Sequence, residues 1–169
     1  MPLLEISGLT HRFAGLCAVS DCNFSIEPQE LVGIIGPNGA GKTTIFNLIT
    51  GVYRASEGSI KLNGRELVGL TPNAITRLGI ARTFQNIRLF KELSVLDNVR
   101  IAHYGQITYT PAEALLHIGR FRAEERRITN LALDLLAVFK LDGSADEKAK
   151  NLPYGLQRRL EIARALATN

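Results

Sequence analysis

Residues Gly36, Pro37, Asn38, Gly39, Ala40, Gly41, Lys42 and Thr43 match the pattern G-x-x-x-x-G-K-[ST]. Those residue types at that spacing can hold a polyphosphate. Several backbone N–H groups must converge on the anion, which requires residues without side chains in the way. A helix beginning at about Lys42 would aim its unpaired amides and the positive end of its dipole at the same charge. Lys42 would place a point charge at the β/γ-phosphates, and the Thr43 hydroxyl could ligate Mg²⁺. Four fixed positions recur by chance about once in several hundred chains of this length, and an apolar run before the loop narrows the match further. The bland reading is a glycine turn joining strand to helix. The loop alone does not choose among kinases, GTPases, helicases and transport ATPases.

The elements that must position this loop can be read around it. Leu3–Thr10 and Cys17–Ile26 alternate as strands, and the run Leu31–Ile35 reads as a strand covered on both faces. A helix over Lys42–Thr50 is closed by Gly51. Ser59–Leu62 and Arg65–Val68 flank Asn63-Gly64, a strong hairpin signal. Thr71-Pro72 reads as a helix start that Gly79 stops, and Ile80–Phe84 as a further short strand. From about residue 93 the composition turns helical. Ser94-x-x-Asp97 is a capping box for a helix to about Tyr104, and Pro111 begins another. Ile128, Leu131, Leu135 and Val138/Phe139 mark one buried helix face. A last helix runs from about Gln157 with Leu160, Ala163 and Ala167 on one side. The basic cluster Arg120–Arg127 reads first as a solvated helix face and second as a lipid or nucleic-acid patch.

Composition bounds the rest. The 169 residues carry 20 Lys+Arg against 16 Asp+Glu, with 46% hydrophobic and 21% charged residues. That balance excludes collagen, coiled coil and wholesale disorder, and fits one domain with an ordinary core. The apolar runs are too short to span a bilayer, and no export signal opens the chain. Cys17 and Cys22 are too few for a disulfide framework and read as free thiols of a reducing compartment.

The glycine-rich loop is followed by Thr83-Phe84-Gln85-Asn86 and by Leu152-Pro-Tyr-Gly155-Leu-Gln-Arg-Arg-Leu160. In that order and separation, these segments resemble the ATP-binding subunit of ABC transporters, across the whole chain. Ile35–Thr44, Phe46–Gly51, Ala81–Phe90 and Tyr154–Arg164 resemble more narrowly the branched-chain amino acid importer branch. The resemblance implies an α/β fold: a P-loop core with a mostly parallel sheet, an antiparallel β subdomain and an α-helical subdomain. It implies a nucleotide-binding part over 1–92, a helical subdomain over 93–152, and a signature segment with its helix over 153–169.

By the same resemblance the loop through Thr44 binds ATP with Mg²⁺. Phe13 falls where the family stacks an aromatic on adenine, although it could also fill a strand end. Gln85 falls at the family's glutamine that reaches Mg²⁺ or the attacking water, although it could be a plain loop residue. Gly155 would face the γ-phosphate of ATP on a second ATP-binding subunit. The other implied partners are membrane permease subunits and, indirectly, a periplasmic binding protein, with the chain at the cytoplasmic face of the inner membrane. Nucleic acid is not among them.

Two departures bear on activity. Pro153 and Leu156 replace the usual Ser and Gln of the signature, so contact with the γ-phosphate should rest on amides near Gly155, giving a weaker closed sandwich. The family's Mg²⁺-linked Asp, catalytic Glu and switch His would lie beyond Asn169, since His11, His103 and His117 are all upstream. The expectation is a fragment, marginally stable and catalytically feeble alone. The rival readings are an ABC ATPase serving another solute or lipopolysaccharide export, and a nucleotide-binding module without turnover. A small P-loop kinase is disfavoured, because such enzymes need an arginine-rich acceptor lid and lack the Tyr154-Gly-x-Gln-Arg-Arg helix start.

Overall fold

A computed structural model describes residues 2–107, 109–116 and 120–168; His117 and Asn169, named above, lie outside the described residues. The chain forms two compact units, Met1–Ile80 and Ala81–Asn169.

The first unit is built on strands β1 (Leu4–Phe13), β2 (Leu16–Ile26), β3 (Glu57–Leu62) and β4 (Arg65–Glu66), in the order β2-β1-β3-β4. Every pairing is antiparallel. Along β1, Leu4, Ile6 and Leu9 are buried; Leu4 sits opposite Ile26 and Leu62, and Ile6 opposite Phe24 and Ile60. Helix α1 (Lys42–Ile49) buries Ile45, Leu48 and Ile49, the i, i+3, i+4 stripe of an amphipathic helix, within the same core. Asn63 and Gly64 both take positive φ (48° and 77°), as a two-residue hairpin turn with the strands' twist requires. Helix α2 (Pro72–Arg77) starts where Thr71 Oγ1 accepts the Ala74 amide at 3.4 Å.

Two expected strands do not form. Leu31–Ile35 and Ile80–Phe84 join no ladder, and Leu31 and Ile35 are 98% and 97% exposed. A central parallel strand exists only through neighbours on both sides, and no described residue pairs with either segment. Thus the antiparallel group of the α/β fold is present, while the parallel part is not formed by the described residues. The last strand is also shorter than the Arg65–Val68 run: the Leu67 amide still reaches the Ile60 carbonyl at 2.8 Å, and the Glu66 carboxylate takes the Val68 amide at 2.9 Å.

The second unit packs α3 (Val95–His103), α4 (Pro111–Leu116), α5 (Arg120–Val138) and α6 (Tyr154–Leu166). Its core joins Val95 and Val99 of α3, Ala132 and Leu136 of α5, and Leu160 and Ala163 of α6. Ser94 caps α3 as expected. Its Oγ accepts the Asp97 amide at 2.9 Å and donates to Asp97 Oδ2 at 2.8 Å. On α5 the buried stripe is Ile128, Ala132 and Leu136, with Leu135 and Phe139 half-buried against the same core as expected, whereas Leu131 and Val138 are exposed, so the face is rotated slightly from the expected one. Arg120, Arg122, Arg126 and Arg127 are exposed, as a solvated face requires.

Helix α6 begins at Tyr154, three residues before the expected Gln157, because Pro153 serves as its N-cap. Residues 81–92 belong to this unit, so the compact boundary falls earlier than 92. Fully buried Asn98 explains part of that: its side chain accepts the Phe90 amide at 2.9 Å and donates to the Phe90 and Ser94 carbonyls at 3.0 and 2.9 Å. No helix among the described residues is long and apolar enough to cross a membrane.

Candidate nucleotide site and the segments that serve it

The loop 36–41 leads into α1 through Gly41, the helix N-cap, which holds φ 81°. A Cβ there would lie 2.4 Å from the Ala18 carbonyl oxygen of β2, so the position requires glycine twice over, for conformation and for space. Gly39 is also left-handed (φ 86°), and the Ala40 amide turns back to the Pro37 carbonyl at 3.2 Å. No side chain caps α1, and the first intrahelical bond runs from the Ile45 amide to Gly41 at 3.0 Å. The amides of Lys42, Thr43 and Thr44 therefore stand at the open, positive end of the helix.

Lys42 Nζ curls onto this loop, donating to the carbonyls of Gly36 and Pro37 at 2.6 and 2.7 Å. Residues 36–40 and Thr43 are exposed, and Gly41, Lys42 and Thr44 half-buried. A loop with a left-handed entry, outward amides and a captive ammonium can receive an anion. The Thr43 hydroxyl, in the first turn, is an oxygen donor of the kind a hard cation takes. Among the described residues, no group of three or more His, Cys, Asp or Glu could hold a metal without such help.

Phe13 ends β1, opposite Leu16 of β2, the strand against which Gly41 rests. It is 41% exposed, which argues against a core-filling role. The ring meets His11 and Tyr53 edge-to-face, with centroids 4.5 and 5.2 Å away, and His11 stacks on Tyr53 at 5.5 Å. His11 and Tyr53 lie 42 residues apart, and only the fold brings the bend that follows α1 against β1. A flat ring with a free face and a fixed edge can stack on a planar base.

In the second unit, Gln85 is exposed in a bend, and its peptide is held from α6. Arg158 Nη2 donates to the Gln85 carbonyl at 2.8 Å and Nη1 to the Phe84 carbonyl at 2.6 Å. Glu161, only 2% exposed, accepts the Phe84 amide at 3.2 Å and pairs with Arg158 at 2.6 Å. The hydrogen bond to Glu161 raises the Arg158 pKa above its ordinary range. Gly155 lies in the first turn of the same helix, with open space where a Cβ would stand. No side chain caps that end, and Pro153 contributes no N–H.

The expected site residues thus fall into two sets. Phe13 and residues 36–44 stand on the first unit; Gln85 and Gly155 stand on the second, linked through Arg158. Arg158 and Glu161 were not among the expected site residues. A glutamate beside Leu160 on a buried helix face was the available signal.

The family model described as ABC transporter matches residues 19–169. The high-affinity branched-chain amino acid transport ATP-binding protein BraF of Pseudomonas aeruginosa is 45% identical over 167 residues, covering 99% of this chain and 66% of that protein. LivG of Escherichia coli, described in the same words, is 44% identical over the same lengths. The ADP conformation of MJ1267, an ATP-binding cassette of an ABC transporter, superposes with a TM-score of 0.82 at 31% identity, covering 100% of this chain and 66% of that one. The chain therefore spans just under two thirds of these relatives. Loop, helix start and matched sequence agree: the chain belongs to the ABC transporter family.

Proposed function

We propose that this chain is part of the ATP-binding subunit of an importer for branched-chain amino acids, working at the cytoplasmic face of the inner membrane. The observation that carries the reading is the 36–44 loop, with Gly41 held left-handed and Lys42 Nζ gathered onto Gly36 and Pro37. The 45% identity to BraF supports the choice of solute. On this reading the loop amides and Lys42 bind the triphosphate of ATP, Thr43 and Gln85 hold Mg²⁺, and Phe13 stacks on adenine. Bound Mg²⁺ would neutralise the phosphate oxygens. Gly155 offers its helix end to the nucleotide of a second ATP-binding subunit. Permease subunits and, through them, a periplasmic binding protein complete the assembly.

The experiment is uptake of radiolabelled leucine and of an unrelated solute in cells carrying the gene with Lys42→Ala. Loss of leucine uptake alone supports the reading. Unchanged leucine uptake contradicts it.

A further inference from the structure

Glu161 is a carboxylate on the buried face of α6, in line with Leu160 and Ala163, where an apolar residue would cost nothing in desolvation. Its oxygens are both used. Oε1 accepts the Phe84 amide at 3.2 Å, and Oε2 takes Arg158 Nη1 at 2.6 Å. The guanidinium then forks onto two successive carbonyls, Phe84 through Nη1 at 2.6 Å and Gln85 through Nη2 at 2.8 Å. The Phe84 ring is fixed as well, with Arg82 and Arg88 guanidiniums 5.1 and 4.5 Å from its centroid. Three polar groups of an irregular segment are thus satisfied by one ion pair on a helix, and the planar fork sets the plane of the peptides leading into Gln85.

We infer that Arg158 and Glu161 are positioning residues for Gln85: they orient its peptide from α6, and with it the amide side chain that serves the Mg²⁺ role proposed above. The inference rests on the proposed role of Gln85 as a Mg²⁺ ligand. The hydrogen bonds of Arg158 and Glu161 to this segment end on backbone groups of Phe84 and Gln85. A lysine in place of Arg158 keeps the charge and reaches one carbonyl, so it removes the fork while sparing the fold. The Arg158 side chain is 34% exposed, which leaves room for that change.

The test titrates the 169-residue chain with ATP, once with Mg²⁺ and once with EDTA, and reads the gain in affinity that Mg²⁺ provides. Gln85→Ala and Arg158→Lys should each cut that gain by about fivefold, the size of one lost hydrogen bond, and leave the EDTA affinity unchanged. The double variant should be no worse than either alone, because both act on one contact. Glu161→Gln, which loses the ion pair but keeps an acceptor for the Phe84 amide, should show the same split to a smaller degree. Arg158→Lys that lowers only the melting temperature, or that adds fully to Gln85→Ala, overturns the inference. So does a Gln85→Ala variant with an undiminished Mg²⁺ gain. If the unaltered chain binds no ATP at all, the nucleotide reading itself fails, and this inference falls with it.

Discussion

Lys42 Nζ stands 2.6 Å from the carbonyl oxygen of Gly36, six residues earlier in the chain. The contact means that the loop's own backbone neutralises part of the charge it would offer to a phosphate. Binding an anion exchanges two neutral carbonyl acceptors for charged oxygens, and hydrogen bonds between ionised partners are the stronger kind. The exchange is therefore favourable, and the ammonium is already held within the cradle.

Gly41→Ala should destabilise the first unit. The new Cβ would stand 2.4 Å from the Ala18 carbonyl oxygen, at a φ that alanine rarely adopts. The expected loss is about 1–3 kcal/mol, read from urea denaturation. Gly39→Ala is the control: it keeps the strained φ but meets nothing within 4 Å, so it should lose less.

Asn98→Ala should loosen the Phe90 segment. It leaves the Phe90 amide without its partner, while the Phe90 and Ser94 carbonyls keep the backbone amides of residues 93 and 98. The expected cost is about 2 kcal/mol or more, with faster hydrogen exchange at Phe90. Unchanged exchange there would contradict the assignment.

His103 makes the second unit sensitive to acid. Burial, with help from the Arg127 charge, lowers its pKa below the ordinary 6.5. The unfolded chain therefore binds this proton more readily than the folded one, and stability falls as pH drops below about 6.5 towards the folded pKa. Denaturation at pH 7.5 and 5.5 should show a smaller loss for His103→Phe than for the unaltered chain.

Much of this was legible from short-range patterns. Ser94, Thr71 and Gly51 mark helix ends through bonds that span three or four residues, and the 36–43 pattern fixes a loop whose geometry is local. Leu31–Ile35 shows the limit. Its apolar run signals a strand, yet a strand is a relationship to neighbours that the run cannot supply. The slightly rotated face of α5 has a related cause: Leu131 and Val138 fit a helical period as well as Ala132 and Leu136 do, and only packing against α3 and α6 selects between them. The Arg158–Glu161 hold on Phe84 and Gln85 spans more than 70 residues, beyond any spacing rule.

The central claim is that residues 36–44 form a triphosphate cradle charged by Lys42. Isothermal titration of the 169-residue chain with Mg-ATP, against the same chain carrying Lys42→Ala, tests it most directly. Binding should weaken about tenfold to a hundredfold on losing the charged hydrogen bonds, with the circular dichroism unchanged. Equal affinity in the two folded proteins would contradict it.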